Sequence, residues 1–405
     1  MNDINTAAAQ TGNQTLSGGF KKLSLIHKVS LYSVLCFIFL IPWGDGIWDG
    51  LARVFGILSF GLASLLLITE GTHKKFSYFH LFVLALWAWL ILSVIWTLDI
   101  NRGIDLTSRA IQIMLLPFLF SLIITNRKSI LLAYQSYVLG NVVAATIILY
   151  NYLNGIQSPY YNRFTVQNIE TDTMSIILAL SIPMAAHLAA HLDKKGMRLF
   201  YLAIIPLIVF AIFLTGTRTG SIVAVFGILY WLFTHRRATF RIKMSIAVVL
   251  VLSIITVATF APKASVDRVF SAGKSLKSGN LNSRTDIWKA SISQWKNTPI
   301  IGVGFGGLGY ALSREHVNYN GAHNTYIQLL TEGGLIALTL YLLLLGSILY
   351  LILQTRLSEK IFLLSLFMVI IVSQLTLHLH IQKETWFTLS MLAIHASYAR
   401  KRSTG

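Results

Sequence analysis

The chain is 405 residues long, 55% of them hydrophobic and only 12% charged, with a mean hydropathy of +0.66. A water-soluble core of this size cannot absorb so much apolar sequence, which excludes a soluble globular protein and defines a polytopic membrane protein. The formal charge is +18 and Cys36 is the single cysteine, so an internal disulfide and a thiol-rich metal site are excluded as well.

Taken in order, residues 1–19 are rich in Asn, Thr, Gln, Ala, Ser and Gly and are expected to be a disordered tail, with Lys21, Lys22 and Lys28 ahead of the first span. No small-residue cleavage pattern follows, so that span is expected to be a retained anchor. Apolar runs then fall at about 29–43, 51–69, 79–97, 107–125, 129–153, 172–192, 198–215, 219–234, 242–261, 323–353, 360–379 and 383–398. A hydrocarbon core of roughly 30 Å needs about 20 apolar residues as helix, fewer where flanking residues snorkel, and each run is read as a span on that basis. The expected fold is all-α with about 12 transmembrane helices. Its parts are a cytoplasmic tail (1–28), helices 1–9 (29–261), one large outer loop (262–322), helices 10–12 (323–398) and a basic cytoplasmic tail (399–405).

Charge orients the helices. With the N-terminus cytoplasmic, that side carries Lys74-Lys75, Arg127-Lys128, Lys194-Lys195, Arg236-Arg237, Arg356 with Lys360, and Arg400-Lys401-Arg402. The short connections on the other side (44–50, 99–105 and 380–384) are poor in Lys and Arg and hold several acids. This is the positive-inside pattern, and it puts both termini in the cytoplasm and the long loop outside. The basic clusters serve topology and lipid headgroups. No helix-turn-helix, zinc finger or aromatic-interleaved basic face points to nucleic acid. No internal repeat with paired broken helices points to a secondary transporter.

The sixth run holds His187 and His191, four residues apart toward its cytoplasmic end and without acidic companions in sequence, so no metal pair is expected there. Between the seventh and eighth runs lies Thr215-Gly216-Thr217-Arg218-Thr219-Gly220, a connection so short that Arg218 is pinned at the outer membrane surface. Arginine at that depth is expensive unless paired or liganded. Arg53, Arg109 and Arg163 sit near the same face with less context.

The outer loop stays basic. It holds Lys263, Arg268, Lys274, Lys277, Arg284, Lys289, Lys296 and Arg314 against Asp267, Asp286 and Glu315, an excess suited to an anionic ligand such as a diphosphate. Ser283-Arg284-Thr285-Asp286 reads as a helix start with Ser283 as N-cap and Asp286 facing the positive end of the dipole. Ile287, Trp288, Ile292 and Trp295 recur at helical spacing, giving an amphipathic helix that lies on the membrane or packs on the spans, and Pro299 stops it. Arg284 in the first turn opposes the dipole, which marks it for another task. Within the stretch Gly302 to Gly309, Gly304 to Gly309 matches GxGxxG only literally, because the strand, helix and cytoplasmic cofactor that a dinucleotide site needs are missing; a flexible or close-packing stretch over the site is expected. His323 then opens the tenth run, whose roughly 46 Å of helix exceeds the hydrocarbon core and leaves the histidine at the outer interface. Such a histidine titrates near neutrality and can take a proton from a hydroxyl. His316 is a second candidate; His378 and His380, two apart, would diverge on a helix.

Together Thr217-Arg218-Thr219, Arg284 in Arg-Thr-Asp-Ile-Trp, Pro299 to Gly304, His323-Asn324-Thr325-Tyr326 and Glu332-Gly333-Gly334 resemble the O-antigen ligase and polymerase family, the Wzy/WaaL-like membrane glycosyltransferases. The single large loop in the C-terminal third looks more like the ligases. The resemblance implies a glycosyltransferase C-like (GT-C) fold in a bacterial inner membrane with a periplasmic site. It implies a polysaccharide donor on undecaprenyl diphosphate, a lipid A-core acceptor, inversion at the anomeric carbon, and no metal or cofactor. Arg218 and Arg284 would hold the diphosphate and His323 would act as general base. Lys289, Arg314, Asn324 and Tyr326 are the further expected substrate contacts. The absence of Asp-x-Asp agrees with a metal-free reaction, with two guanidinium groups in the place of a divalent ion. A polymerase on the same carrier and a lipid-linked glycan flippase are the competing readings.

Overall fold

The computed structural model describes residues 24–47, 50–70, 77–159, 163–192, 194–234, 284–317 and 321–404, with scattered positions between 244 and 267. The expected tail, nearly all of the ninth span, the loop stretch 268–283 and Ser283 lie outside the described residues.

The described elements are helical, with no strand among them: α1 (Leu25–Leu40), α2 (Leu51–Glu70), α3 (Tyr78–Leu92), α4 (Ile100–Ile123), α5 (Arg127–Leu153), α6 (Thr171–His191), α7 (Lys195–Leu214), α8 (Arg218–Thr234), α9 (Arg284–Asn297), α10 (Leu308–Arg314), α11 (Thr325–Leu353), α12 (Leu357–Gln374) and α13 (Lys383–Thr404). Among the described residues eight helices are long and apolar enough to cross a membrane: α2, α3 with the turn after it, α4, α5, α6, α7, α11 and α12. The apolar helices α1 and α8 are shorter, and α13 occupies the expected twelfth run.

Helix α6 is the axis of the bundle, with 94% of its apolar window buried against α5, α7, α8 and α12. Helix α8 runs parallel to α6 and close to it. A side chain on Gly220 would collide with Ser175, and one on Gly227 would press on Pro183 and Ile182. Small residues at such a seam let two membrane helices approach. The parallel course puts the N-termini of α6 and α8, with Asp172 and Arg218, side by side at one end.

At that same end the glycine stretch is welded into α11. Gly334 breaks α11 with φ 69° and ψ −166°, so the 29-residue segment is two helices and not the continuous rod expected from its length. The break frees backbone groups, and the stretch after Pro299 takes them up. Val303 donates to Thr331 O at 2.9 Å, Gly304 donates to Glu332 O at 2.9 Å, and Leu335 donates back to Pro299 O at 2.9 Å. Gly302 and Gly304, at φ 72° and 89°, leave no room for a Cβ beside Glu332 and Thr97. Of the two tasks expected for the glycines, close packing is the one found. Buried Glu332 closes the knot by accepting from Gln328 Nε2 at 2.7 Å.

Candidate active site

The loop helix α9 packs on the N-terminal part of α11, one of the two arrangements expected for it. Its buried face is Ile287, Ala290, Ser291 and Gln294; Trp288, Ile292 and Trp295 stand at its edges, so the face is rotated from the one read off the aromatic spacing. Asp286 is in its first turn, as expected. Trp288 Nε1 donates to Ala322 O at 2.9 Å, which ties α9 to the residue before His323.

That tie brings Arg284 to Asp172. The Arg284 guanidinium lies 3.7 Å from one carboxylate oxygen; the other oxygen accepts from Arg163 Nη1 at 3.1 Å and from the Thr217 hydroxyl at 3.0 Å. Arg163 also donates to the Thr171 hydroxyl at 2.9 Å. One carboxylate thus holds two arginines and the turn from which Arg218 starts α8. Burial, followed by the repulsive charge of Arg218, draws the Arg284 guanidinium below its ordinary range, while Asp172 opposes the shift. Arg163 and Arg284 on Asp172, with the Arg218 charge acting on Arg284, outnumber the nearby carboxylates Asp172 and Glu170 and leave a surplus of positive charge. Arg218 is near enough to Arg284 for their charges to repel, so the fold brings these two arginines into one neighbourhood.

His323 faces the same site. It adopts φ 47°, a left-handed conformation that costs a non-glycine residue about 1–2 kcal/mol. The surroundings impose it. Asn324 caps α11, accepting from Tyr326 N at 2.9 Å and Ile327 N at 3.1 Å and donating to Leu375 O at 3.1 Å. The Thr325 hydroxyl donates to Leu377 O at 2.8 Å and accepts from Leu379 N at 2.9 Å, while Ala322 N donates to Gln328 Oε1 at 2.8 Å. Desolvation is the main cause that holds the His323 imidazole below its usual value; His378 and Arg284 add to it, and Asp172 and Glu170 work against it. A half-buried imidazole that is neutral at pH 7 is a competent proton acceptor.

His378 was dismissed on the assumption of a helix. The chain there is not helical until a short turn at Leu379–Ile381, and the His378 ring stands edge-on to His323 with centroids 5.5 Å apart. Burial, then the charge of Arg102, keeps it below the ordinary histidine range too. His380 is fully buried and pushed down to about 3. His316 is exposed beyond the end of α10 and is not part of this cluster.

The other expected contacts divide. Asn324 is buried and engaged as a cap, so its observed task is to position His323. The Tyr326 hydroxyl donates to Ile371 O at 3.4 Å, turning away from His323 toward α12. Its ring borders an apolar groove of about 470 Å³ between α11 and α12, lined also by Leu342, Leu345, Leu349, Phe367 and Ile371. Lys289 is exposed at mid-helix, and exposed Arg314 lies 5.0 Å from the Tyr310 ring; neither stands in the Asp172 cluster. Arg53 and Arg109 are exposed as well, whereas Arg163 is integral. Asp172 and His378 were missed. The signal for Asp172 was present: a carboxylate opening an apolar run at the face where arginines gather.

Fold and site together define an all-α polytopic membrane protein that gathers arginines and a neutral histidine at one end of its bundle. Residues 201–342 match the family model described as Wzy_C, O-antigen ligase, which bears out the resemblance read from the motifs. The matched stretch contains Arg218, Arg284 and His323; Arg163, Asp172 and His378 lie outside it. No curated protein matches the chain.

Proposed function

We propose that the protein is an O-antigen ligase. In this reading it transfers a polysaccharide from undecaprenyl diphosphate to a lipid A-core sugar hydroxyl at the periplasmic face of the bacterial inner membrane. The observation that carries the proposal is the convergence of Arg163 and Arg284 on Asp172, which also holds the Thr217 turn that leads into Arg218, with His323 within reach of the same charges. Planar guanidinium groups match diphosphate oxygens in pairs, and desolvated ones stabilise charge as it develops on a leaving group. His323, neutral at pH 7, removes the proton from the acceptor hydroxyl as its oxygen attacks the anomeric carbon. The glycosyl–oxygen bond breaks on the opposite side, the electron pair leaves on undecaprenyl diphosphate, and the configuration inverts. His378 limits the space behind His323 and disfavours a second positive charge there. No metal or cofactor is needed in this scheme. The groove beside Tyr326 suits the polyprenyl tail, since it is apolar and begins one helical turn from His323.

The test is transfer by the purified protein, in EDTA, from undecaprenyl-diphosphate-linked glycan to lipid A-core. Product on lipid A-core that disappears in His323→Ala supports the ligase. Longer glycan on the carrier, with lipid A-core untouched, makes it a polymerase instead. No product of either kind moves weight to a flippase.

A further inference from the structure

The opposite end of the same helices carries a second cluster that the reaction does not use. His187 in the last turns of α6, Glu359 in the first turn of α12 and His395 in α13 present one ligand atom each, all within 4.8 Å of one another. Asp172 and His187 are fifteen residues apart on α6, about 22 Å along the axis, so the two clusters are separate. The reading of His187 and His191 as lacking an acidic companion is corrected here: Glu359 comes from another helix, where spacing along one segment cannot reveal it.

The surroundings fix the rings as a metal site fixes them. His395 Nδ1 lies 3.0 Å from the Tyr134 hydroxyl and His187 Nδ1 lies 3.1 Å from the Tyr230 hydroxyl. A partner at Nδ1 orients an imidazole and leaves Nε2 to serve as the ligand atom. His395 Nε2 is 3.2 Å from Glu359 Oε2. With the proton on Nε2 this is a hydrogen bond to the carboxylate; with the proton on Nδ1 a lone pair and a carboxylate face each other, an arrangement that a cation resolves. His187 and His395 are 2% and 6% exposed. His187 is stacked on Phe362 with centroids 3.9 Å apart, and the His191 ring lies 4.1 Å from the His187 ring.

We infer that His187, Glu359 and His395 form a zinc-class divalent metal site that joins α6, α12 and α13 at the end of the bundle opposite His323. Two imidazoles and one carboxylate suit zinc and its neighbours, whereas calcium and magnesium ask for more oxygen ligands. Ligands about 2.1 Å from a tetrahedral ion stand about 3.4 Å apart. The Glu359–His395 pair is already near that spacing at 3.2 Å, and His187 has to close from at most 4.8 Å, a movement of up to about 1.4 Å within reach of a side-chain torsion.

The experiment uses the full-length protein in detergent, stripped with EDTA and exchanged into chelator-free buffer. Zinc is titrated calorimetrically and by thermal melting, and cobalt(II) by its visible absorption. The expected result is one equivalent of zinc bound, a raised melting midpoint, and a cobalt band of four-coordinate intensity. Tyr134→Phe and Tyr230→Phe, which keep the packing and remove the orienting hydroxyls, should each weaken binding about 10- to 100-fold. Glu359→Gln should weaken it at least as much, and His316→Gln should leave it unchanged. Absence of a zinc-dependent melting shift in the unaltered protein overturns the inference, with no variant required. Binding that survives Glu359→Gln and both tyrosine variants, or that disappears in His378→Gln instead, overturns it as well, because the ion would then sit elsewhere.

Discussion

The two ends of α6 hold opposite answers to the same problem, that of placing charge at the edge of an apolar bundle. At the Asp172 end one carboxylate is surrounded by Arg163, Arg284 and the Thr217 turn before Arg218, and the balance is positive. At the His187 end two imidazoles and Glu359 face inward from three helices, with tyrosine hydroxyls behind them. The first arrangement is built for an anion, with guanidinium groups that cannot lose their charge. The second has lone pairs and a carboxylate, and it suits a cation. The parallel packing of α6 and α8 through Gly220 and Gly227 makes both ends at once, since it aligns Asp172 with Arg218 above and His187 with Tyr230 below. Polarity of a site in this protein follows from which residue types reach an end together, and depth in the membrane does not decide it.

The comparison is broken most forcefully at His323. Replacement by alanine should reduce the transfer rate roughly 100- to 10,000-fold, measured on protein whose melting midpoint is unchanged, while zinc binding at the other end persists. Equal loss of both would mean that the ends are not independent. Arg284→Lys keeps the charge and removes the fork, and should lower kcat/KM for the lipid-linked donor about 10- to 100-fold. A lysine variant with full activity would show that point charge alone suffices. Asp172→Asn releases Arg163, Arg284 and Thr217 together, so a loss of about 10-fold is expected from misplacement. In a double-mutant cycle with Arg284→Lys the two effects should fall well short of additive.

The pH profile sharpens the same contrast. A general base works in its neutral form, and burial holds His323 below the ordinary value of about 6.5. Activity should therefore be flat between about pH 7 and 8 and be lost as pH falls through the depressed value. Asp172→Asn removes a charge that opposes the depression, so it should move this limb to still lower pH. A limb above 7 would contradict a desolvated His323. The smallest effects belong to Lys289→Ala and Arg314→Ala. Both side chains are exposed and stand apart from Asp172, and each should change kcat/KM less than about 2-fold, as exposed charges usually do.

Much of this was legible in the chain before folding. Unbroken apolar runs reveal helices because a bilayer leaves the backbone no partner but itself. Arg218 stood out because so short a turn leaves its charge no route away from the membrane surface. Arg284 stood out because a cation in a first helical turn is misplaced unless something outside the helix receives it, and Asp172 does receive it. The strength of the Ile287-to-Trp295 pattern disclosed a packed loop helix but mistook the face, because the tryptophan rings lie at the edges and use their N–H groups on Ala322 O and Pro299 O.

What the sequence determined by itself was therefore local: the helical runs, the loop helix α9, the arginines under electrostatic stress, and a histidine at the mouth of α11. Tertiary structure decided what those residues meet. The break at Gly334 arises only because the stretch from Pro299 to Gly304 supplies backbone partners from outside the helix. His378 reaches His323 because the chain leaves helical geometry at Gln374, and Glu359 reaches His395 because α12 and α13 pack together. Periodicity reports the environment along one element, while hydrogen bonds and ion pairs between residues 30 to 260 positions apart depend on packing, which no single segment encodes.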